Sequence, residues 1–216
     1  MQGNAPEQAP EGAAVDGRRA RRERGRIAVI DAMVALVQEG KMPPSAEMIA
    51  ERAGVSLASL FRYFDGLGDL QVQAYARFRE RFEPLFTVSA DARRLPLAER
   101  IDAFVGARLD LYEQAGAVMM LGRLRSLEHE PLVAAAASMR GLLADQVRSL
   151  FGDAAPGTTP ADVAGLAATI DALTSLDAWD VMRRTHGRSR RQIANAWRDA
   201  IAAIVAAAPP TRGTRR

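Results

Sequence analysis

Cysteine is absent from this 216-residue chain, lysine occurs once, at Lys41, and histidine twice, at His129 and His186. Without cysteine neither a disulfide framework nor a thiolate zinc site can form, which fits a reducing compartment and points to the cytoplasm. Neither histidine lies near a serine or a carboxylate pair suited to acid–base chemistry. Glu128-His129-Glu130 resembles a ligand triplet on paper, yet adjacent helical positions diverge by about 100°, so no metal site is expected there. Also missing are a Gly-x-Ser-x-Gly elbow, a phosphate-binding loop and a dinucleotide fingerprint; Gly66-Leu67-Gly68 lacks both the third glycine and a preceding strand. Catalysis and a cofactor both drop out of the expectation. No apolar run reaches 18 residues, and the first stretch, MQGNAPEQAPEGAAVDG, has no apolar core of the kind a signal peptide needs, so neither a membrane nor export is expected. Strand-like alternation is missing throughout.

What the chain does contain is 48% hydrophobic residues, enough for a sizeable core, and clustered arginine. Arg18, Arg19, Arg21, Arg22, Arg24 and Arg26 crowd into nine positions, and Arg212, Arg215 and Arg216 stand at the other end. The guanidinium group is planar and always charged, so such clusters suit phosphate, although a charge run alone is equally a solvated tail. Residues 1–17 carry Pro, Gly, Ala and acids without periodicity and read as disordered. From Arg22 onward, Ile27, Ile30, Val34 and Val37 mark one face of a helix that stops at Gly40. After Pro43-Pro44, Ser45 caps a second helix over 46–53. Gly54 then offers the left-handed conformation that ends a helix cheaply, Val55 fills the corner, and Ser56 caps a third helix over 57–64.

Two short helices about a tight glycine turn are the signature of a helix-turn-helix. In that geometry Leu60 and Phe64 face inward. Ser56, Leu57, Ala58, Ser59 and Arg62 stay outside, where small residues permit close approach to a groove floor while Arg62 and Tyr63 donate to bases or phosphates. Standing alone, the pattern is also that of an ordinary helical hairpin. From Arg24 to Leu70, however, the chain resembles the TetR (tetracycline-repressor-like, AcrR-type) family of transcriptional regulators. The matching features are the basic lead into helix one, Gly40, Ile49-Ala50, Ala53-Gly54-Val55-Ser56, Leu60-Phe61-Arg62-Tyr63-Phe64 and Leu70.

That resemblance implies an all-α fold of about nine helices: an N-terminal three-helix helix-turn-helix domain, then a larger helical domain that binds an effector and dimerises. It implies Ser45 as a phosphate contact, Ser56, Leu57, Ala58 and Ser59 facing the major groove, and Arg62 and Tyr63 on bases or backbone. The implied partners are a double-stranded DNA operator, a second copy in a homodimer, and a small-molecule effector of unknown identity. Two positions depart from the family pattern. Phe61 stands where Tyr is frequent and Leu67 where Lys is usual, which removes two backbone contacts; the arginine-rich arm, with Arg22 and Arg24, is expected to compensate from the backbone or the minor groove.

The expected organisation is a disordered arm over 1–21, the DNA-binding domain over 22–68, the effector and dimerisation domain over 69–208 and a disordered basic tail over 209–216. Within the third segment, helices are read over 69–83, 97–115, 118–127 and 131–151, and Gly116 is read as a break. A last pair follows, running through Trp179 and Met182 to the break at His186-Gly187, then resuming at Ile193. Leu166, Ile170, Leu173, Ile193, Trp197 and Ile201 are candidates for a dimer interface, an intramolecular core being the alternative that periodicity does not separate. Phe104, Leu111, Tyr112, Met119, Met120, Leu124 and Trp179 are candidates to line an effector pocket, with plain core as the alternative. The functional expectation is a ligand-released repressor on a palindromic site; the alternative is a helix-turn-helix scaffold or activator without an effector.

Overall fold

A computed structural model describes residues 11–127, 130–154 and 159–207. Glu128 and His129, residues 155–158 and the basic tail lie outside them. Among the described residues there are nine α-helices and no strand. The chain divides into two compact units, Met1–Arg77 and Phe78–Arg216.

The first unit holds α1 (Glu11–Gln38), α2 (Ala46–Ala53), α3 (Leu57–Tyr63) and most of α4 (Leu67–Phe82). Helix α1 begins eleven residues before Arg22, so part of the expected disordered arm is helical. No proline occurs between Glu11 and Met42, and Ala, Arg and Glu are strong helix formers, so propensity carries the helix beyond the reach of its apolar stripe. At its other end Gly40 takes φ 85°, with the Lys41 N–H bonded to the Leu36 carbonyl at 2.9 Å. Gly54 repeats the device after α2, at φ 67°, with the Val55 N–H on the Ala50 carbonyl at 3.0 Å. Ile30, Val34 and Val37 are buried as their spacing predicts, together with Ile49, Leu60, Phe64 and Leu70. Ile27 is only half-buried.

The second unit runs from the end of α4 through two 3-10 turns (Glu83–Phe86 and Ala90–Arg94) to α5 (Leu97–Arg125), α6 (Glu130–Phe151), α7 (Pro160–Leu173), α8 (Leu176–Asp180), a π turn (Val181–Thr185) and α9 (Arg190–Ala207). Helix α5 is its axis, packing on α6, α8 and α9, while α7 lies against α6 and α9. Gly116, read as a break, lies inside α5. A Cβ there would stand 3.3 Å from Leu176 Cδ1 and 3.5 Å from the Trp179 ring, so this glycine is a place of close approach between α5 and α8. The long helix expected across Leu173 is divided instead. The Thr174 hydroxyl turns back to the Ile170 carbonyl at 2.7 Å, and the Ser175 hydroxyl caps α8 by accepting the Ala178 N–H at 3.2 Å.

Candidate DNA interface

Serine caps position both short helices. Ser45 Oγ accepts the Met48 N–H at 3.3 Å and Ser56 Oγ accepts the Ser59 N–H at 3.1 Å, each from extended backbone. The Glu47 backbone N–H, and after it the Ser45 hydroxyl, hold the Glu47 carboxyl below its usual range. Helix α3 then buries Leu60 and Phe64 and leaves Ser56, Leu57, Ala58, Phe61 and Arg62 exposed, with Ser59 half-buried at their edge. Four of the five residues that the helix-turn-helix geometry puts outside therefore share one open surface, and Ser59 borders it.

That surface carries its own hydrogen-bond chain. The Ser56 hydroxyl donates to Ser59 Oγ at 3.0 Å, and Arg62 Nη2 donates to the same oxygen at 2.9 Å. The guanidinium carbon of Arg62 also lies 5.7 Å from the Tyr63 ring centroid, a cation–π distance. Arg62 is thus held ready over the surface by neutral groups, with its remaining donors free for an acceptor.

Tyr63 is placed differently from Arg62. It is half-buried and its ring lies on α1 at Gly25, where a Cβ would meet the phenol oxygen at 2.6 Å. There it packs α3 against α1. Arg22 joins the same seam, its Nη2 donating to the Arg62 carbonyl at 3.3 Å, while Arg24 is exposed. Arg26 is engaged within the unit by Glu23 and Gln73, and Gln73 in turn by Asp69. Arg19 and Arg21 are exposed on the helical extension of α1. Sequence reasoning missed Gly25, although its signal was present: a glycine inside a helix of strong formers costs about 1 kcal/mol and calls for a packing reason.

In the second unit the candidate pocket residues part company. Phe104, Leu111 and Tyr112 are fully buried, Met119 nearly so, Met120 and Trp179 are half-buried, and Leu124 is exposed. Phe104 meets Phe151 edge-on at 5.3 Å, and Tyr112 stands between Trp179 and Trp197 at 6.0 and 6.4 Å. Trp179, with Glu113, Arg183 and Arg184, lines an open recess of about 420 Å³ beside the π turn. A larger cleft of about 590 Å³ is lined by none of the seven; Glu83, Phe86, Arg93, Leu142 and Gln146 are among its walls.

Missed as well was Arg108, which is 1% exposed in the middle of this core. It donates to the Leu143 carbonyl at 2.7 Å, to Asp171 at 3.2 Å and to the Tyr112 hydroxyl at 3.2 Å, and that hydroxyl donates to the Thr174 carbonyl at 2.9 Å. Burial, the largest influence, pushes the Tyr112 phenol up against the opposing pull of Arg108. The available signal was register: Arg108 sits four residues from both Phe104 and Tyr112, on the apolar face of α5.

The candidate dimer residues lie mostly inside the chain. Ile170, Ile193 and Ile201 are fully buried, Trp197 is 1% exposed, Leu166 is buried and Leu173 half-buried, all within one chain. They form the seam of α7 and α9 with the rest of the unit, because an apolar period marks a covered face without saying what covers it. The outer faces of the same helices carry alanine: Ala164, Ala168 and Ala172 on α7 and Ala196 and Ala203 on α9 are exposed or nearly so, and Ala200 is half-buried.

Neither a protein-family model nor a curated protein sequence matches the chain. Solved structures do. A transcriptional regulator from Rhodococcus sp. Rha1 superposes with a TM-score of 0.64 at 18% identity, over 87% of this chain and 97% of its own. A TetR transcription regulator from Haloarcula marismortui ATCC 43049 gives 0.57 at 14% identity, over 85% and 97%. This chain has the TetR fold. The multidrug binding protein EbrR, solved with imidazole, shares that fold at a TM-score of 0.57 and 18% identity, over 88% of this chain and 98% of its own. Among the described residues, no helix is long and apolar enough to cross a membrane, and no group of three acidic or histidine side chains is placed to hold a metal ion.

Proposed function

We propose that the chain is a DNA-binding transcriptional regulator of the TetR type, working in the cytoplasm as a homodimer that represses from a palindromic operator and is released by a small-molecule effector. The observation that carries this reading is the open face of α3, where Arg62 is held by Ser59 and Ser56 beside a helix studded with arginine. Phosphate contacts from Ser45 and the α1 arginines supply salt-dependent affinity, and α3 in the major groove supplies sequence choice. Two such heads must sit about 34–36 Å apart to read half-sites one helical turn apart. The alanine faces of α7 and α9 support the dimer, since small side chains let helices of two copies approach closely. An effector that prefers one spacing of the heads shifts the population by its differential affinity; the 590 Å³ cleft is of a size that suits a small ligand. Catalysis has no part in this reading.

A second reading, a DNA-binding scaffold or activator without an effector, is favoured by the closed packing of Phe104, Leu111 and Tyr112. The deciding experiment is selection of duplexes from a random DNA pool by the purified protein, with the affinity of the winner followed against salt. A palindrome supports the reading. Enrichment of no sequence, with steeply salt-dependent binding only, removes it. A metabolite and drug panel that never weakens the complex with the winner favours the second reading.

A further inference from the structure

The exposed face of α3 is divided lengthwise by polarity. At 100° per residue, the outward side chains follow one another around the helix in the order Leu57, Phe61, Ala58, Arg62 and Ser59. The Arg62 edge is polar and already hydrogen-bonded to Ser59 and, through it, to Ser56. The opposite edge is apolar and uncovered: Leu57 is 38% and Phe61 49% exposed, four residues apart and therefore side by side. Leu60 and Phe64 fill the inward side, at 0% and 2% exposure, whereas Leu57 and Phe61 keep a substantial part of their surface open. Phe61 also has no hydroxyl with which to reach a phosphate or a base edge.

We propose that this edge reads the 5-methyl groups of thymine, so that Leu57 and Phe61, with Ala58 between them and Arg62, determine specificity for a thymine-bearing flank in each half-site. The inference rests on the DNA-binding reading above. The thymine methyl is the apolar group that the major-groove floor presents, and it is the group a side chain without donors or acceptors can recognise. Charge complementarity selects duplex DNA over an apolar protein surface as the occupant, because the patch is flanked by Arg62 and shares its unit with the exposed Arg19, Arg21 and Arg24. Read across the helix, the half-site carries one or two thymines on one side of the base pair that Arg62 addresses.

The test uses the full chain and the operator selected from the random pool, with each thymine replaced singly by deoxyuridine, a change that removes only the methyl. The expected result is one or two positions per half-site at which deoxyuridine weakens binding about fourfold, the ratio that burial of one such carbon implies. In Leu57→Ala or Phe61→Ala that sensitivity disappears at the matching position and persists at the other, with circular dichroism showing each variant folded. Indifference to deoxyuridine at every thymine overturns the proposal, as do variants that lose affinity equally for thymine and deoxyuridine operators. A selected operator without thymine in the half-site overturns it while leaving the DNA-binding reading intact. Enrichment of no sequence overturns both.

Discussion

In the proposed reading Arg62 is the side chain on which sequence choice most directly turns, because its guanidinium is the one charged group that α3 itself presents. Arg62→Ala is expected to cost on the order of 1–3 kcal/mol on the selected operator and to relax discrimination at a single base pair. Competition binding with all four base pairs at each position reads this; a loss spread evenly over every sequence would make Arg62 a phosphate contact. Asp153 poses a different question at this scale. Burial raises its pKa, but the hydrogen bond from Arg100 at 2.6 Å and the charges of Arg100 and Arg93 outweigh that and leave it below the usual carboxylate range. A carboxyl lowered on folding adds stability above its unfolded pKa of about 3.9, and that stability is lost as pH falls through the lower folded value. Asp153→Asn is therefore expected to be less stable than the wild type at pH 7, with the difference closing below about pH 4. Thermal unfolding from about pH 7 to about pH 2 measures it, and a difference that persists unchanged into acid would contradict it.

Helix α1 shows how an element acquires two tasks. Its second half packs Ile30, Val34 and Val37 into the first unit, while its first half is a helical extension bearing exposed arginines. An extended arm can follow the minor groove; a helix about 10 Å wide cannot enter it, so the extension is better suited to backbone phosphates. Replacing Arg19, Arg21 and Arg24 together by Gln is expected to flatten the salt dependence by roughly 0.9 for each phosphate that is no longer neutralised, leaving the preferred sequence unchanged. The slope of log affinity against log salt, measured for wild type and variant, gives the number of such phosphates directly. At the seam of α1 and α3, Gly25 leaves room for the phenol end of Tyr63 against the helix.

For the whole molecule, the proposed dimer would pair over the exposed alanines of α7 and α9. Leu166, Ile170, Ile193, Trp197 and Ile201 are spent within the protomer, so changing them disrupts its core before any dimer. Ala164→Glu with Ala168→Glu is expected to yield a folded monomer whose operator affinity falls by about tenfold or more, since the second half-site then binds without the benefit of linkage. Sedimentation and thermal unfolding distinguish this from misfolding; an unchanged dimer would move the interface elsewhere. Arg108 belongs to this scale too, because it joins α5, α6 and α7 through Leu143, Tyr112 and Asp171 at the centre of the second unit.

The sequence by itself determined what depends on neighbours along the chain. Serine caps at 45 and 56, left-handed glycines at 40 and 54, and the inward Leu60 and Phe64 follow from spacings of a few residues, which is why the two short helices and their turn were legible. Only the tertiary structure decided what lies opposite each face. Apolar period identifies a covered side but not its cover, and it is the structure that shows Ile170, Trp197 and Phe104 buried within the protomer. The same reason hid Arg108 and Gly25: their roles are set by Asp171, sixty-three residues away, and by Tyr63, on another helix.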